Sequence, residues 1–388
     1  MRWTRFVKAK AACAYFFVCP GLVYGSFTAR MPALKAQVHA NEAELGLVLL
    51  IFGCAGFVGL LLSAPLIRRF SSRLVVRLST LALLCFLPLC ALAQSPEMLA
   101  LGCVCMGLCI GLADVAMNTQ AIQLEQRFAV SCMAVMHGGY SLGGVLGALT
   151  GALFAALNVQ PVWNFALVVL LYACARPWTV PRLQKDMVIR RDNPKATPGG
   201  RRRFAMPPLF IILCGLTAAC AYAAEGTVGE WGALFLFSVK GAEEGTAALV
   251  YACFSVCTVS CRMVADLART HFSDFAIVLG GALLAVLGMS TVLCAQSPAL
   301  CLAGYSCMGL GMAPIVPILF SRGGSVPGVD ASTASAVISV LAYGGLLLCP
   351  PLIGALAHAH GLQQALHVAL ILCLFLVAGA FLFRKKRG

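Results

Sequence analysis

The chain is poor in charge. Only 11% of its 388 residues are Asp, Glu, Lys or Arg, whereas a soluble domain averages about 25%. Acids are scarcer still, 14 against 28 Lys and Arg. A long polar stretch occurs in one place alone, 176–206. No phosphate loop of the GxxxxGK[ST] type is present, which excludes an ATP-driven pump built on one. Repeated gating arginines are missing too, which disfavours a voltage-gated channel. No catalytic constellation stands out, so the chain reads as a non-enzyme that needs no cofactor and no metal.

What it has in abundance is apolar sequence. Hydrophobic residues make up 61% and the mean hydropathy is +0.91. They fall in blocks, and a block of about 20 residues crosses a bilayer as a helix. Twelve blocks qualify: 10–29, 45–67, 74–94, 98–122, 133–157, 162–175, 208–228, 245–264, 275–294, 299–320, 332–353 and 363–383. The sixth is short, and Gly226 and Gly229 interrupt the end of the seventh. Arg2, Arg5, Lys8 and Lys10 precede the first block as they would a signal peptide. Its apolar run exceeds the roughly 7–15 residues of a signal core, however, and further spans follow, so it reads as an uncleaved helix. The expected fold class is an all-α membrane protein with twelve transmembrane helices.

Lys and Arg set the orientation. With the N-terminus in the cytoplasm and twelve crossings, all of the 28 except Arg30, Lys35 and Lys240 fall on the inside. An odd error in the number of crossings would scramble that asymmetry. The net charge of +14 is therefore a topology signal, and nucleic-acid binding is not needed to explain it. Most of the 20 cysteines lie within spans, where a thiol packs as a small apolar group. His358, His360 and His367, near the last external turn, are a metal candidate on one reading and polar helix-end residues on the other.

The polar stretch 176–206, rich in Pro, Gly and Arg, reads as a cytoplasmic linker between two six-helix bundles, 1–175 and 207–388. The halves repeat at an offset of 202: Ala93–Pro96 matches Ala295–Pro298, Cys105–Leu108 matches Cys307–Leu310, and Phe70-Ser71 matches Phe272-Ser273. Duplicated halves around a midplane site are the build of secondary transporters.

One polar stripe interrupts the apolar spans. In GLADVAMNTQAIQLE, Asp114, Asn118 and Glu125 lie within roughly 40° of one another on a helix. Gly107 and Gly111 extend the stripe backwards. Such a stripe has to face something wet or polar, because an ionised carboxylate in the bilayer costs several kcal/mol.

Twelve spans, two halves and a long central loop resemble the major facilitator superfamily across the whole chain. The loop signature after the second span is degenerate: Arg69-Phe70-Ser71-Ser72-Arg73 keeps the basic frame, but Arg68 stands where an Asp is usual. GLADVAMN is similar to the fourth-helix motif of the fucose-permease branch. His137–Leu149 and Ala223–Trp231 resemble the fifth and seventh helices of that branch and of its bacterial inner-membrane relatives. The resemblance implies that Asp114 binds the proton and that Asn118 contacts a sugar.

Further candidates follow from the residues themselves. Glu225 mirrors Asp114 in the second half as a proton-coupling acid, and the helix is expected to loosen at Gly226 and Gly229. Trp231 offers an indole face to a sugar or apolar ligand, or else anchors the span in the interface. Tyr24, Gln120, Tyr140 and Tyr343 are substrate-binding candidates. On the cytoplasmic side, Glu125 reaches water or pairs with Arg127, and His137 either relays protons or has an interfacial structural role. Gly143 and Gly147, in a ladder with Gly139 and Gly151, let helices pack closely or slide. The absence of Pro after Gly147 departs from the signature of drug/proton antiporters.

The sequence therefore reads as a monomeric, proton-coupled secondary transporter of the bacterial inner membrane. It would move a small polar, sugar-like solute by alternating access. An exporter of drugs, lipids or metabolites is the alternative, kept open by 22 Phe and 13 Met; a membrane sensor that moves nothing is a third. Cysteine accessibility or reporter fusions should place 180–203 and the C-terminus in the cytoplasm and Lys240 outside. An external C-terminus would contradict twelve crossings.

Overall fold

The structure is a computed structural model that describes residues 2–40, 42–186 and 207–384. Most of the expected linker, 187–206, and the last basic residues, 385–387, lie outside the described residues. Among the described residues the long regular elements are helices, and no strand occurs. Unsatisfied backbone is not tolerated in hydrocarbon, so uninterrupted apolar runs become helices that satisfy their own N–H and C=O groups.

The first set comprises α1 (Arg2–Ala29), the short α2 (Met31–Gln37), α3 (Glu42–Phe70), α4 (Ser72–Cys90), α5 (Pro96–Phe128), α6 (Met133–Ala156) and α7 (Pro161–Thr179). The second comprises α8 (Leu209–Ser238), α9 (Glu244–His271), α10 (Asp274–Cys294), α11 (Pro298–Met312), α12 (Ile315–Gly323), α13 (Ala331–His360), α14 (Leu362–Ala365) and α15 (His367–Ala380). Eleven helical stretches among the described residues are long and apolar enough to cross a membrane, with α11 and α12 forming one of them. The sixth expected span, α7, brings the total to twelve. It is a 19-residue helix whose last turn carries Arg176, Pro177 and Trp178.

Two expectations change. The seventh span does not loosen at Gly226 and Gly229, because α8 runs unbroken for 30 residues to Ser238. Neither glycine has positive φ, and helix hydrogen bonds continue through both. The fourth span is longer than the apolar block implied. At 33 residues, α5 extends about 50 Å, well beyond a hydrocarbon core of about 30 Å. Asp114 lies about 27 Å along it from Pro96, and Glu125 about 44 Å. The two acids of the stripe therefore sit at different depths.

Two of the three offset-202 matches fall at helix starts. Ser71 and Ser273 cap α4 and α10 by accepting hydrogen bonds from Leu74 N (3.3 Å) and Ala276 N (3.2 Å). Ser95-Pro96 and Ser297-Pro298 open α5 and α11, with Pro in the first turn, where no N–H is needed.

Phe6 and Phe381, near the two ends of the described residues, lie on one face. Phe6 of α1 stacks near Phe128 at the end of α5, 5.3 Å between ring centroids. Glu125 meets Arg269 at the end of α9, and Phe275 at the start of α10 packs on Phe381. We refer to this as the terminal face. Large exposed apolar side chains such as Leu61, Leu149, Leu267 and Leu348 coat the outside of the bundle. That surface suits lipid and would drive aggregation in water.

Bare backbone contact holds the bundle together. A Cβ on Gly143 would lie 2.3 Å from Val18 O, and one on Gly147 2.3 Å from Leu22 O and 2.7 Å from Ser26 N. From the other side, Gly21 and Gly25 of α1 meet Tyr140 O and Gly144 O. The glycines of α6 thus seat α1 against it. Gly107 and Gly111 do the same for α3, with virtual Cβ distances of 2.4 Å to Phe52 O and 2.1 Å to Gly56 O. Their place on the Asp114 stripe therefore reflects helix packing. Gly147→Ala should destabilise the protein by about 1–3 kcal/mol through overpacking, visible as a lower Tm in detergent. Gly280→Ala, where nothing lies within 4 Å of the added carbon, should leave Tm unchanged or raise it, because Ala loses less backbone entropy than Gly in a helix. Equal behaviour of the two variants would remove close approach as the reason for the ladder.

Candidate functional site

Asp114 is buried where α5 faces α13. Ser339 of α13 donates to its Oδ2 at 2.6 Å. Asn118 Nδ2, one turn on, donates to the Asp114 carbonyl at 2.9 Å and weakly to Oδ1 at 3.4 Å. Ser335, one turn before Ser339, donates to Val115 O at 3.3 Å. No described Lys, Arg or His is ion-paired with Asp114. All its partners are neutral. Asn118 is fully buried, and its Oδ1 has no hydrogen-bond partner, leaving an open acceptor beside the carboxyl.

A group of tyrosines surrounds this point. Tyr140, Tyr222 and Tyr343 are electrostatic neighbours of Asp114. Tyr222 and Tyr343 meet edge to face, 5.9 Å between centroids. Tyr24 on α1 belongs to the same group, in electrostatic range of Tyr140, Tyr343 and Tyr251, yet it keeps 45% exposure. Among the expected substrate-contacting residues, Asn118, Tyr140 and Tyr343 thus come together near Asp114, with Tyr24 beside the tyrosines.

Glu225 differs from Asp114 in having a cation. Arg262 Nη2 of α9 lies 3.7 Å from its Oε2. The same guanidinium donates to Ser141 Oγ of α6 at 2.8 Å and to Ala313 O at 3.3 Å. Arg262 is therefore a buried counter-ion joining the two helix sets. His137, one turn into α6, is likewise buried. Its ring sits between Phe17 and Phe320, 5.6 and 5.5 Å away, and Nε2 has no partner. Trp231 is half-buried against Gly354 of α13, 3.5 Å from the position of an added Cβ, and its Nε1 is also unpartnered.

The remaining candidates belong to the terminal face. Glu125 Oε1 accepts from Cys132 N (2.7 Å) and Met133 N (2.9 Å) at the start of α6, and Oε2 from Ser321 Oγ (2.5 Å). Its cation is Arg269, at 3.7 Å. The expected partner, Arg127, instead donates to Gln184 at 2.9 Å. Asp266 of α9 takes the next two N–H groups of α6, Ala134 at 3.3 Å and Val135 at 2.9 Å. The N-terminus of a helix is electropositive, and two carboxylates, one from each helix set, satisfy it. Arg269 also holds Asp274, which Arg322 pairs as well. Gln126 Nε2 reaches Gly324 O at 2.7 Å.

Gln120 does not face the tyrosines. Its Nε2 donates to Ser72 Oγ (2.7 Å) and Gln184 O (3.1 Å), and its Oε1 accepts from Gln184 N (2.9 Å). It anchors the start of the linker, because at its depth α5 meets α4 and residues 184–186. His358, His360 and His367 do not gather: among the described residues no three potential ligands are placed to hold a metal ion. Sequence reasoning missed Ser339, Tyr222, Arg262 and Asp266. Only Arg262 and Asp266 carried a signal, as charges four apart on one span.

The family model described as Major Facilitator Superfamily matches residues 12–327. An uncharacterized MFS-type transporter of Yersinia pestis is 28% identical over 365 residues, 94% of this chain and 93% of that protein. An uncharacterized transporter of Sinorhizobium fredii is 31% identical over 367 residues, covering 93% and 92%. Among solved structures, FucP in the outward conformation aligns with a TM-score of 0.81 at 16% identity, over 98% of this chain and all of FucP. XylE, a proton:xylose symporter, aligns with a TM-score of 0.74 at 12% identity, over 97% and 95%. At those identities the two structures speak for the fold, which the helix order and packing reproduce. With the family model spanning most of the chain, this multi-pass membrane transporter belongs to the major facilitator superfamily.

Proposed function

We propose that the protein is a proton-coupled secondary transporter that moves a small polar, sugar-like solute by alternating access between two bundles, 1–175 and 207–388. One observation carries this reading: Asp114 is a buried acid whose partners are all neutral. A permanently ionised carboxylate at that depth lacks compensation, whereas one that takes and releases a proton as the site changes sides does not need it. Glu225 already has Arg262, so the coupling role falls first on Asp114. The solute class follows from the surroundings. Asn118, Ser335, Ser339 and the tyrosines offer donors and acceptors suited to hydroxyl groups, more than an exporter of lipophiles would use. FucP and XylE are named as proton symporters of fucose and xylose, which fits the same class.

The terminal face, read as cytoplasmic from its Lys and Arg, is closed in this arrangement. Opening it requires Asp266 to release α6, Glu125 to release Ser321 and Arg269, and Gln126 to release Gly324. Separating α5 from α13 also breaks the Asp114–Ser339 bond. Protonation removes the charge that this step would otherwise strand. The setting is taken to be a bacterial inner membrane, with the chain acting as a monomer.

A thermal-shift screen starting with fucose and xylose identifies the solute. In proteoliposomes, Asp114→Asn should then abolish accumulation driven by a pH gradient while counterflow exchange survives. Accumulation at the wild-type level by Asp114→Asn would remove Asp114 from the coupling. Loss of the Asp266 bonds to α6 is worth roughly 1.5–3 kcal/mol to the closed state. Asp266→Ala should therefore speed thiol labelling of Cys132, which is buried at the start of α6. An unchanged rate, read by mass spectrometry of that peptide, would show that Asp266 does not hold the closed face.

A further inference from the structure

An open cavity of about 800 Å³ lies on the terminal face, away from the Asp114 cluster. It forms where the start of α1, the first turn of α4, the end of α5 and residues 181–185 meet. Its volume falls in the range of about 300–1,000 Å³ typical of small-molecule sites. Arg5, Lys8, Arg73, Arg127, Arg182 and Lys185 line it, and no Asp or Glu does. None of the six is ion-paired with a described carboxylate. Asp186, the acid next to Lys185, is engaged elsewhere, accepting from Ser72 N at 2.6 Å and Ser72 Oγ at 2.5 Å.

The positive-inside bias explains why Lys and Arg favour this face. It does not explain why six basic residues line one space, since like charges held together repel, although Arg182 lays its guanidinium over Trp178. Their arrangement is built. Gln120 grips Gln184 through both amide atoms, and Arg127 donates to the Gln184 side chain, so the linker start is fixed beside α5. Arg73 Nη2 reaches Val180 O at 3.4 Å, while its Nε is buried without a partner. Guanidinium groups match the oxygens of a phosphate in charge and geometry better than they match chloride. We infer that this cavity is a binding site for a phosphate-bearing anion, either the headgroup of an anionic lipid or a soluble phosphate compound. Bound there, the anion would tie the linker start to α1.

Two probes separate the sources. Purified full-length protein in detergent is titrated with inorganic pyrophosphate at constant ionic strength, following Tm. The same protein in phosphatidylcholine nanodiscs, with or without phosphatidylglycerol, is examined by native mass spectrometry for retained lipid. One probe should bind saturably, and Arg5→Gln/Lys185→Gln should weaken that binding about tenfold, equivalent to roughly 1.4 kcal/mol. Arg68→Gln/Arg69→Gln, an equal charge change outside the cavity on the same face, should leave it intact. A pyrophosphate response supports a soluble ligand, and phosphatidylglycerol retention without one supports a lipid. Saturable binding of neither probe, or equal weakening by the two double variants, overturns the assignment.

Discussion

A carboxylate inside a helical bundle in lipid needs a cation, a set of hydrogen-bond donors, or a proton. Most of this structure's polar chemistry follows from how each buried acid meets that requirement. Asp274 has two arginines. Glu125 and Asp266 have helix N–H groups, and Glu125 has Arg269 as well. Glu225 has Arg262. Asp114 alone among these has only Ser339 and Asn118. The acids that bind cations or helix ends hold helices together, and Asp114, which has neither, is the one we propose to cycle a proton.

The same division orders the molecule along its depth. Glycines seat α1 on α6 and α3 on α5 at backbone contact. Between the helix sets, apolar contacts such as Ile122 on Gly324 and His137 on Phe320 are joined by hydrogen bonds from α5 to α13 through two serines, α6 to α9 through Arg262 and Asp266, and α5 to α12 through Glu125 and Gln126. Tight glycine seams within a set and breakable hydrogen bonds between sets are what a rocking motion requires.

Spans were legible because apolar runs of helical length have one outcome in lipid, and the repeat was legible in part because two of its matches cap or open helices. Partners across the bundle were not. Asn118 was found through its spacing from Asp114, but Ser339 lies 225 positions away among many serines. Gln120 was read as a cavity residue because a helical amide in a span has no address until α4 and the linker are placed beside it. A tally of basic residues places Arg262 on the inside but carries no sign that it pairs with Glu225. Gly226 and Gly229 suggested a broken helix, yet membrane helices carry glycine intact where neighbours pack against them.

Infrared difference spectroscopy of the protein in lipid, titrated across pH, tests the central assignment most directly. It reads the C=O stretch of a protonated carboxyl group. If Asp114 carries the proton, a titrating carboxyl band should be present in the wild-type protein, shift on addition of solute, vanish in Asp114→Asn and persist in Glu225→Gln. A band that survives Asp114→Asn and disappears in Glu225→Gln would contradict the account and move the coupling to the Glu225–Arg262 pair.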